Sequence, residues 1–316
     1  MLISIVIPVK NEGRHIRQCI AGWLGQTLPV HEIIVIDSGS TDDTLSIVAE
    51  FPQVRVIEID GSQFNHGTTR NVAVAETTGG LVMMTVGDAR PFDDQVLERL
   101  SACFDDDAVA GVCGLQVVPH DVDKNPTEWF RPYSEPTITT YHYPAGQYDE
   151  LPPEQKHQAT GWDDVVAMYR GEVLRNQIPF REITYGEDVQ WAQEAYRAGY
   201  ALKFCPTARV YHYHLEDADV TFKRAITMYY LRYRMFGVEP TPPPLWLPLL
   251  TATKTLLKER GLSIGQRMRW MKHNLSNRLA LRSAFRRFHT ALSAGSDHVE
   301  NLHQEFTGKQ FKVKSS

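Results

Sequence analysis

Asp37, Asp88, Asp188, His212 and His214 are the side chains of this sequence whose type and setting could do chemistry. Asp37 closes an apolar run in I-I-V-I-D-S-G-S-T-D-D-T. A carboxylate there suits hydrogen bonding to the imide N–H of a pyrimidine base or to a ribose, or else helix capping together with Ser40, Thr41 and Asp42. Asp88 follows a second apolar run, where an anionic oxygen either holds a divalent ion that bridges a diphosphate or serves a turn. His212 and His214 stand i, i+2 in Val-Tyr-His-Tyr-His, so on a strand both imidazoles point the same way. They read as ligands to one metal or as an ordinary pair of surface or core histidines. Asp188 sits behind a glycine at the start of a helix, either as a cap favoured by the helix N-terminus or as a general base that removes a hydroxyl proton.

Residues of this kind need a scaffold that gathers them at one edge. Ile3 to Val9, Glu32 to Ile36, Val54 to Ile59 and Leu81 to Val86 are short runs rich in Val and Ile, and helical patterns such as Ile16-Ile20-Trp23-Leu24 intervene. Near-continuous apolar strands alternating with helices predict an α/β fold with a mostly parallel sheet covered on both faces. Ligands of such sheets sit at the carboxyl ends of the strands, which here carry Pro8 to Glu12, Asp37 to Asp42, and Gly87-Asp88-Ala89. The stretch from Pro119 to Gln158, rich in Pro, Tyr and polar residues, reads as a loop or small excursion over the sheet. Regularity returns at Val165 to Tyr169, with a short helix after Gly171, a helix from Glu187 to Ala198 and a strand from Arg209 to Tyr213. From 219 the pattern is helical, broken at Thr241-Pro242-Pro243-Pro244, and the last dozen residues are expected to fray.

The 316 residues, 42% apolar with a net charge of -5, describe an ordinary globular protein and exclude disordered, collagenous and disulfide-rich classes. Cys19, Cys103, Cys113 and Cys205 are scattered without zinc-like spacing, which fits free thiols in a reducing compartment. The opening MLISIVIPVKNEG reads as a first strand rather than a signal peptide, and a cytoplasmic location is expected. Charge is unevenly placed. Residues 1–253 carry 20 basic and 34 acidic side chains, whereas 254–287 carry ten basic and one acidic. A block of +9 beside the apolar segment Leu245 to Leu257, with Trp246, Leu247 and Leu250, reads as an interfacial helix at an anionic membrane surface. The alternative is a solvated basic face on helices that pack on the main domain or form a homo-oligomer contact. No nucleic-acid partner is expected.

Taken in order, the opening I-V-I-P-V-K-N-E, the V-I-D-S-G-S-T-D-D-T segment, G-E-D-V-Q-W and V-Y-H-Y-H resemble the family 2 inverting glycosyltransferases of GT-A fold, from Ile3 to about His214. Phe64-Asn65-His66-Gly67-Thr68-Thr69-Arg70-Asn71 and the single acid in Gly87-Asp88-Ala89 are similar to the rhamnosyltransferase-like branch. The resemblance implies a catalytic domain over 1–218, with a nucleotide-sugar half (1–118) and an acceptor half (119–218), followed by a helical region over 219–316. It implies that Pro8, Glu12 and Asp37 line the pocket for base and ribose, and that Arg70 and Asn71 approach the donor near its phosphates. Asp88, with His212 or His214, would hold Mg or Mn on the diphosphate, and Asp188 would deprotonate the acceptor hydroxyl. The implied donor is a nucleoside-diphosphate sugar, with dTDP-rhamnose as a candidate, and the implied acceptor a glycan or lipid-linked glycan. Two positions depart from the pattern: Gly87 stands where a polar residue is common, and Glu216-Asp217 where Asn-Tyr commonly follows the histidines.

Other nucleotide-binding classes lack their signatures here. Lys10-Asn11-Glu12-Gly13 supplies neither the Gly-rich basic loop of a nucleotidyltransferase nor the G-x-G-x-x-G of a Rossmann dehydrogenase, and the chain has no G-x-S-x-G elbow. A catalytically degenerate module that binds a sugar nucleotide or glycan is the alternative to an enzyme.

Overall fold

The computed structural model describes residues 1–131, 136–144, 146–183 and 185–307. Along the chain run β1 (Ile3–Val9), α1 (Ile16–Leu24), β2 (Glu32–Asp37), α2 (Thr44–Val48), β3 (Val54–Glu58), α3 (His66–Ala75), β4 (Leu81–Met84) and β5 (Arg90–Pro91). There follow α4 (Val96–Ser101), β6 (Val109–Val117), β7 (Thr139–Tyr141), α5 (Gln147–Glu150), α6 (Pro153–Ala159), β8 (Ala167–Arg170), α7 (Glu187–Arg197) and β9 (Ala201–Tyr211). The helices α8 (Ala218–Phe236), α9 (Trp246–Lys258), α10 (Ile264–Ala294) and α11 (Ser296–Thr307) come last. The chain divides into two compact units, Met1–Val117 with Pro132–His212, and Val118–Arg131 with Tyr213–Ser316. Residues 119–131, expected in the acceptor half, therefore group with the helices. The expected fraying of the last dozen residues falls mostly on 308–316, outside the described residues.

In the first unit the sheet runs β3-β2-β1-β4-β8-β6-β9-β5, with β7 also on β9. Strands β1 to β4 are parallel, as their apolar runs predict. Alternate side chains of each strand enter opposite cores. Ile3, Ile5, Ile7, Ile33, Val35, Leu81 and Met83 pack with α1 and α4, whereas Val6, Ile34, Ile36, Val82 and Met84 pack with α3 and α7. Burial on both faces explains why the strands read as continuous rather than alternating apolar runs.

The second half of the sheet differs from its sequence reading. Strand β8 is antiparallel to both neighbours, and β9 begins at Ala201 rather than near Arg209. Pro206 disguises this strand. The pairing of β9 with β6 shifts register between Cys113/Phe204 and Leu115/Arg209, so the residues around Pro206 bulge out and the ladder resumes beyond them. The stretch read as a loop over 119–158 contains β7, α5 and α6. Trp162 packs against Tyr169 and Trp191 inside the second core, and Trp129 is also buried, its indole donating to the Lys124 carbonyl; packing is thus the role of both.

The second unit is held by Ala225, Ile226, Ala284, Phe288, Val299, Leu302 and Phe306 from α8, α10 and α11. A smaller cluster of Leu256, Leu262 and Trp270 joins α9 to α10. Arg267 donates to the carbonyls of Leu256, Leu257 and Glu259 at 2.7–2.8 Å, closing the C-terminal end of α9. Ser263 and Gln266 form a capping box that starts α10. No helix among the described residues is long and apolar enough to cross a membrane.

The start of α3 locks the loop that leads towards α7. Asn65 donates to the Ile183 carbonyl at 2.9 Å, and Asn71 exchanges two hydrogen bonds with the Phe180 backbone, at 2.8 and 3.0 Å. Gly67 permits this approach, because a Cβ there would lie 2.0 Å from the Arg181 carbonyl oxygen. Gly67→Ala must push the loop away, and a loss of about 1–3 kcal/mol in denaturant unfolding is expected. Unchanged stability would show that the loop is not held here.

Candidate active site

Three strand ends build one wall. The turn after β1 places Asn11 at φ 59°, where Asn is among the few side chains tolerated. Its backbone N–H donates to Ser40 Oγ (2.8 Å), and its Oδ1 accepts from the Thr41 N–H (2.8 Å). Glu12 N–H donates to Thr44 Oγ1 (2.7 Å) and Gly13 N–H to Asp42 Oδ2 (3.0 Å). The loops after β1 and β2 are thereby stitched into a single surface, with Pro8 paired beside Ile36 at its base.

Asp37 is buried, and its carboxylate accepts the N–H groups of Gly39 and Ser40 at 2.9 Å together with the Ser40 hydroxyl. Its turn role is thus in place. Glu12 lies beside Gly87, where a Cβ would meet Glu12 Cγ at 2.8 Å and Val9 Cγ1 at 3.1 Å. Glycine at 87 is what lets this carboxyl approach. Burial, then the charges of Asp88 and Asp42, push Glu12 up to about 8.

Asp88 meets the end of β9 because β5 runs antiparallel to it with Arg90 opposite Tyr211. This register sets Asp88, two residues earlier, beside the continuation of β9. Asp88 Oδ1 is 3.4 Å from His212 Nε2, both in the first unit, and His214, two residues on, falls in the second. His212 Nδ1 is 2.7 Å from Gln116 Oε1 at the end of β6. An amide oxygen only accepts, so Nδ1 carries a hydrogen towards Gln116, and Nε2 is left to offer a lone pair to a cation or, on an imidazolium, a hydrogen to Asp88. Metal–ligand bonds of about 2.1 Å bring neighbouring ligand atoms about 3 Å apart, so Asp88 and His212 are close enough to hold one divalent ion.

Arg70 and Asp188 belong to a second cluster. Arg70 is buried, with its Nη1 2.7 Å from Glu187 Oε1 and donating to the His66 carbonyl at 2.9 Å, and its Nε 3.0 Å from Asp164 Oδ2. Asp164 also accepts from the Tyr169 hydroxyl, which accepts from the Trp162 indole at 2.7 Å. Asp188 is half-buried in the first turn of α7. Burial, then Glu187 and Asp164, hold its carboxyl well above the ordinary carboxylate range, and Arg70 opposes them. Asn71 spends its amide on the Phe180 backbone.

The sequence reading missed Gln116, Glu187 and the pairing of Arg70 with Asp164. Glu187 adjoins Asp188 in G-E-D and was within reach of that reading. Gln116, a lone polar residue near the end of an unrecognised strand, carried no signal.

The model of the family "Glycosyl transferase family 2" matches residues 4–176. The O-antigen chain rhamnosyltransferase RfbN of Salmonella typhimurium is 31% identical over 229 residues, 71% of this chain and 70% of the relative. This chain belongs to glycosyltransferase family 2. The O-antigen chain rhamnosyltransferase WbaN of Salmonella anatum is 30% identical over 229 residues, 70% of this chain and 69% of that one. Among solved structures, S. aureus TarS 1-349 in complex with UDP-GlcNAc aligns over 97% of this chain and 80% of its own, with TM-score 0.54 at 17% identity. The mannosyltransferase PcManGT from Pyrobaculum calidifontis, in complex with GDP-Man and Mn2+, aligns over 98% and 81%, with TM-score 0.54 at 17% identity. These likenesses agree on the fold, and this family 2 glycosyltransferase has the GT-A architecture that the resemblance of its motifs implied, on the mostly parallel sheet expected from its strand runs.

Proposed function

We propose that this family 2 glycosyltransferase is an inverting enzyme that moves a sugar from a nucleoside-diphosphate sugar, with dTDP-rhamnose the leading candidate, to a glycan or lipid-linked acceptor in cell-surface polysaccharide synthesis. The observation that carries the reading is the Asp88–His212 pair, 3.4 Å apart at the edge where the stitched loops after β1 and β2 end. Rhamnose as the donor sugar is supported by the printed activity of two relatives at about 30% identity. A divalent cation is supported by the donor set itself, and a neighbour of the same fold holds Mn2+ with its sugar nucleotide.

Each residue has a task in a single in-line displacement. Pro8, Glu12 and Asp37 shape the surface for base and ribose. Asp88 and His212, with His214 beside them, would hold Mg or Mn, whose charge offsets that of the diphosphate. Asp188 accepts the proton of the acceptor hydroxyl as its oxygen bonds to the anomeric carbon from the face opposite the diphosphate. The bond from that carbon to the diphosphate oxygen breaks, and the electron pair leaves with the nucleoside diphosphate. Glu187 and Asp164 raise the basicity of Asp188, and Arg70 keeps the carboxylates together. Asn71 acts by holding the loop at Phe180 in place.

Release of nucleoside diphosphate from a panel of dTDP-, UDP- and GDP-sugars with Mg or Mn tests this reading. One donor should be turned over, with activity abolished by Asp88→Ala and slowed about 10²- to 10⁴-fold by Asp188→Asn. Metal-dependent binding without turnover, even with acceptor extracts, would instead indicate a binding module.

The acid limb of kcat against pH should lie above the ordinary carboxylate range, because Asp188 must lose its proton to act. Glu187→Gln removes a negative neighbour, makes ionisation easier and should move that limb to lower pH. A limb that stays put or rises would remove Asp188 from the role of base.

The enzyme works on the inner face of the cytoplasmic membrane in this reading. Trp246, Leu247 and Leu250 on α9 and Ile264 and Met268 on α10 are exposed within and beside the basic block 254–287. Full-length protein should sediment with anionic vesicles at low salt and detach as salt rises, and Trp246→Ser with Leu250→Ser should weaken it. Failure to sediment would leave the basic helices as a solvated face or a contact between copies.

A further inference from the structure

We infer that Gln116, backed by Asp163, sets the tautomer and aim of His212 and thereby the cation affinity of the Asp88–His212 pair. The inference rests on the proposed cation reading of that pair and goes beyond it, since Gln116 touches neither donor nor acceptor in the proposed mechanism.

Strands β6 and β9 run parallel with Gln116 opposite Val210 and Val117 opposite Tyr211, and His212 N–H donates to the Val117 carbonyl at 3.2 Å. The sheet itself therefore holds the backbone of His212 beside that of Gln116. The Gln116 side chain faces two groups, His212 Nδ1 at 2.7 Å and the nearby carboxyl of Asp163, which burial pushes up and Gln116 pulls back towards its ionised form. The amide oxygen is the atom on His212, and an ionised Asp163, which only accepts, favours that orientation by drawing the NH2. Nδ1 must then be the protonated nitrogen. Asp163 is in turn fixed by the Val165 N–H, which donates to its Oδ1 at 3.1 Å. The opposite tautomer would place a hydrogen on Nε2, aim a donor at Asp88 and close that nitrogen to a cation. Outer partners of this kind orient a ligating imidazole and raise its basicity, and their loss typically weakens metal affinity about 10- to 100-fold.

The test uses the full chain with Mn2+ as the probe. Bound Mn2+ is measured by electron paramagnetic resonance, and the His212 tautomer by long-range 1H–15N NMR of the metal-free protein, assigned with His212→Gln. The wild type should bind Mn2+ and show hydrogen on Nδ1. Gln116→Leu should lose about 10- to 100-fold in Mn2+ affinity and shift His212 towards the Nε2–H form, with little change in melting temperature in chelator. The exchange variant Gln116→Glu with Asp163→Asn swaps amide and carboxylate, keeps the Nδ1–H acceptor and should restore both signals. A wild-type His212 protonated on Nε2 overturns the inference without any variant. Wild-type binding of Mn2+ matched by Gln116→Leu with an unchanged tautomer overturns it while the cation reading stands. No Mn2+ binding by the wild type, even with a nucleoside diphosphate, overturns the cation reading and the inference together.

Discussion

Asp88 Oδ1 and His212 Nε2 face each other across 3.4 Å, a pairing that either a proton on the imidazole or a divalent cation satisfies. The surrounding structure is arranged to bring about that encounter. β5 aligns Asp88 with the end of β9, β6 supplies Gln116, and the bulge around Pro206 lets β9 resume its ladder before reaching His212. The stitched loops after β1 and β2 converge at the same edge of the sheet.

The second charge cluster follows the opposite logic. Arg70 is enclosed with Asp164 and Glu187, and Asp188 adjoins them, so three carboxyl groups share one guanidinium. Burying charges is tolerable only when they are paired, and an excess of carboxyls over cations leaves one of them unwilling to ionise. That places a basic carboxyl at the start of α7, held by a loop that α3 locks through Asn65, Gly67 and Asn71. In the proposed mechanism one region would hold a cation and the other would take a proton, the two demands of moving a sugar from a diphosphate to a hydroxyl.

The first half of the fold was legible because β1, β2 and β4 are buried on both faces, and burial of this kind leaves unbroken Ile and Val runs. The second half was not. Strand β6 is diluted by Gly111 and Gly114, and β9 is interrupted by Pro206, a residue that local rules assign to strand ends. The site divided similarly. Asp88, Asp188 and the histidines stood out by type and spacing, and the structure brings Asp88 together with His212. Gln116 and the Arg70–Asp164 pairing come from topology, since they join residues about a hundred positions apart, and no local pattern reports such a meeting.

Crystals of the full chain with Mn2+ and a nucleoside diphosphate, examined for the anomalous signal of manganese, test the central claim most directly. One strong peak is expected about 2.1 Å from a carboxylate oxygen of Asp88 and from Nε2 of His212, with Nδ1 still on Gln116. A peak elsewhere with the nucleotide, or ligation through Nδ1, would contradict it.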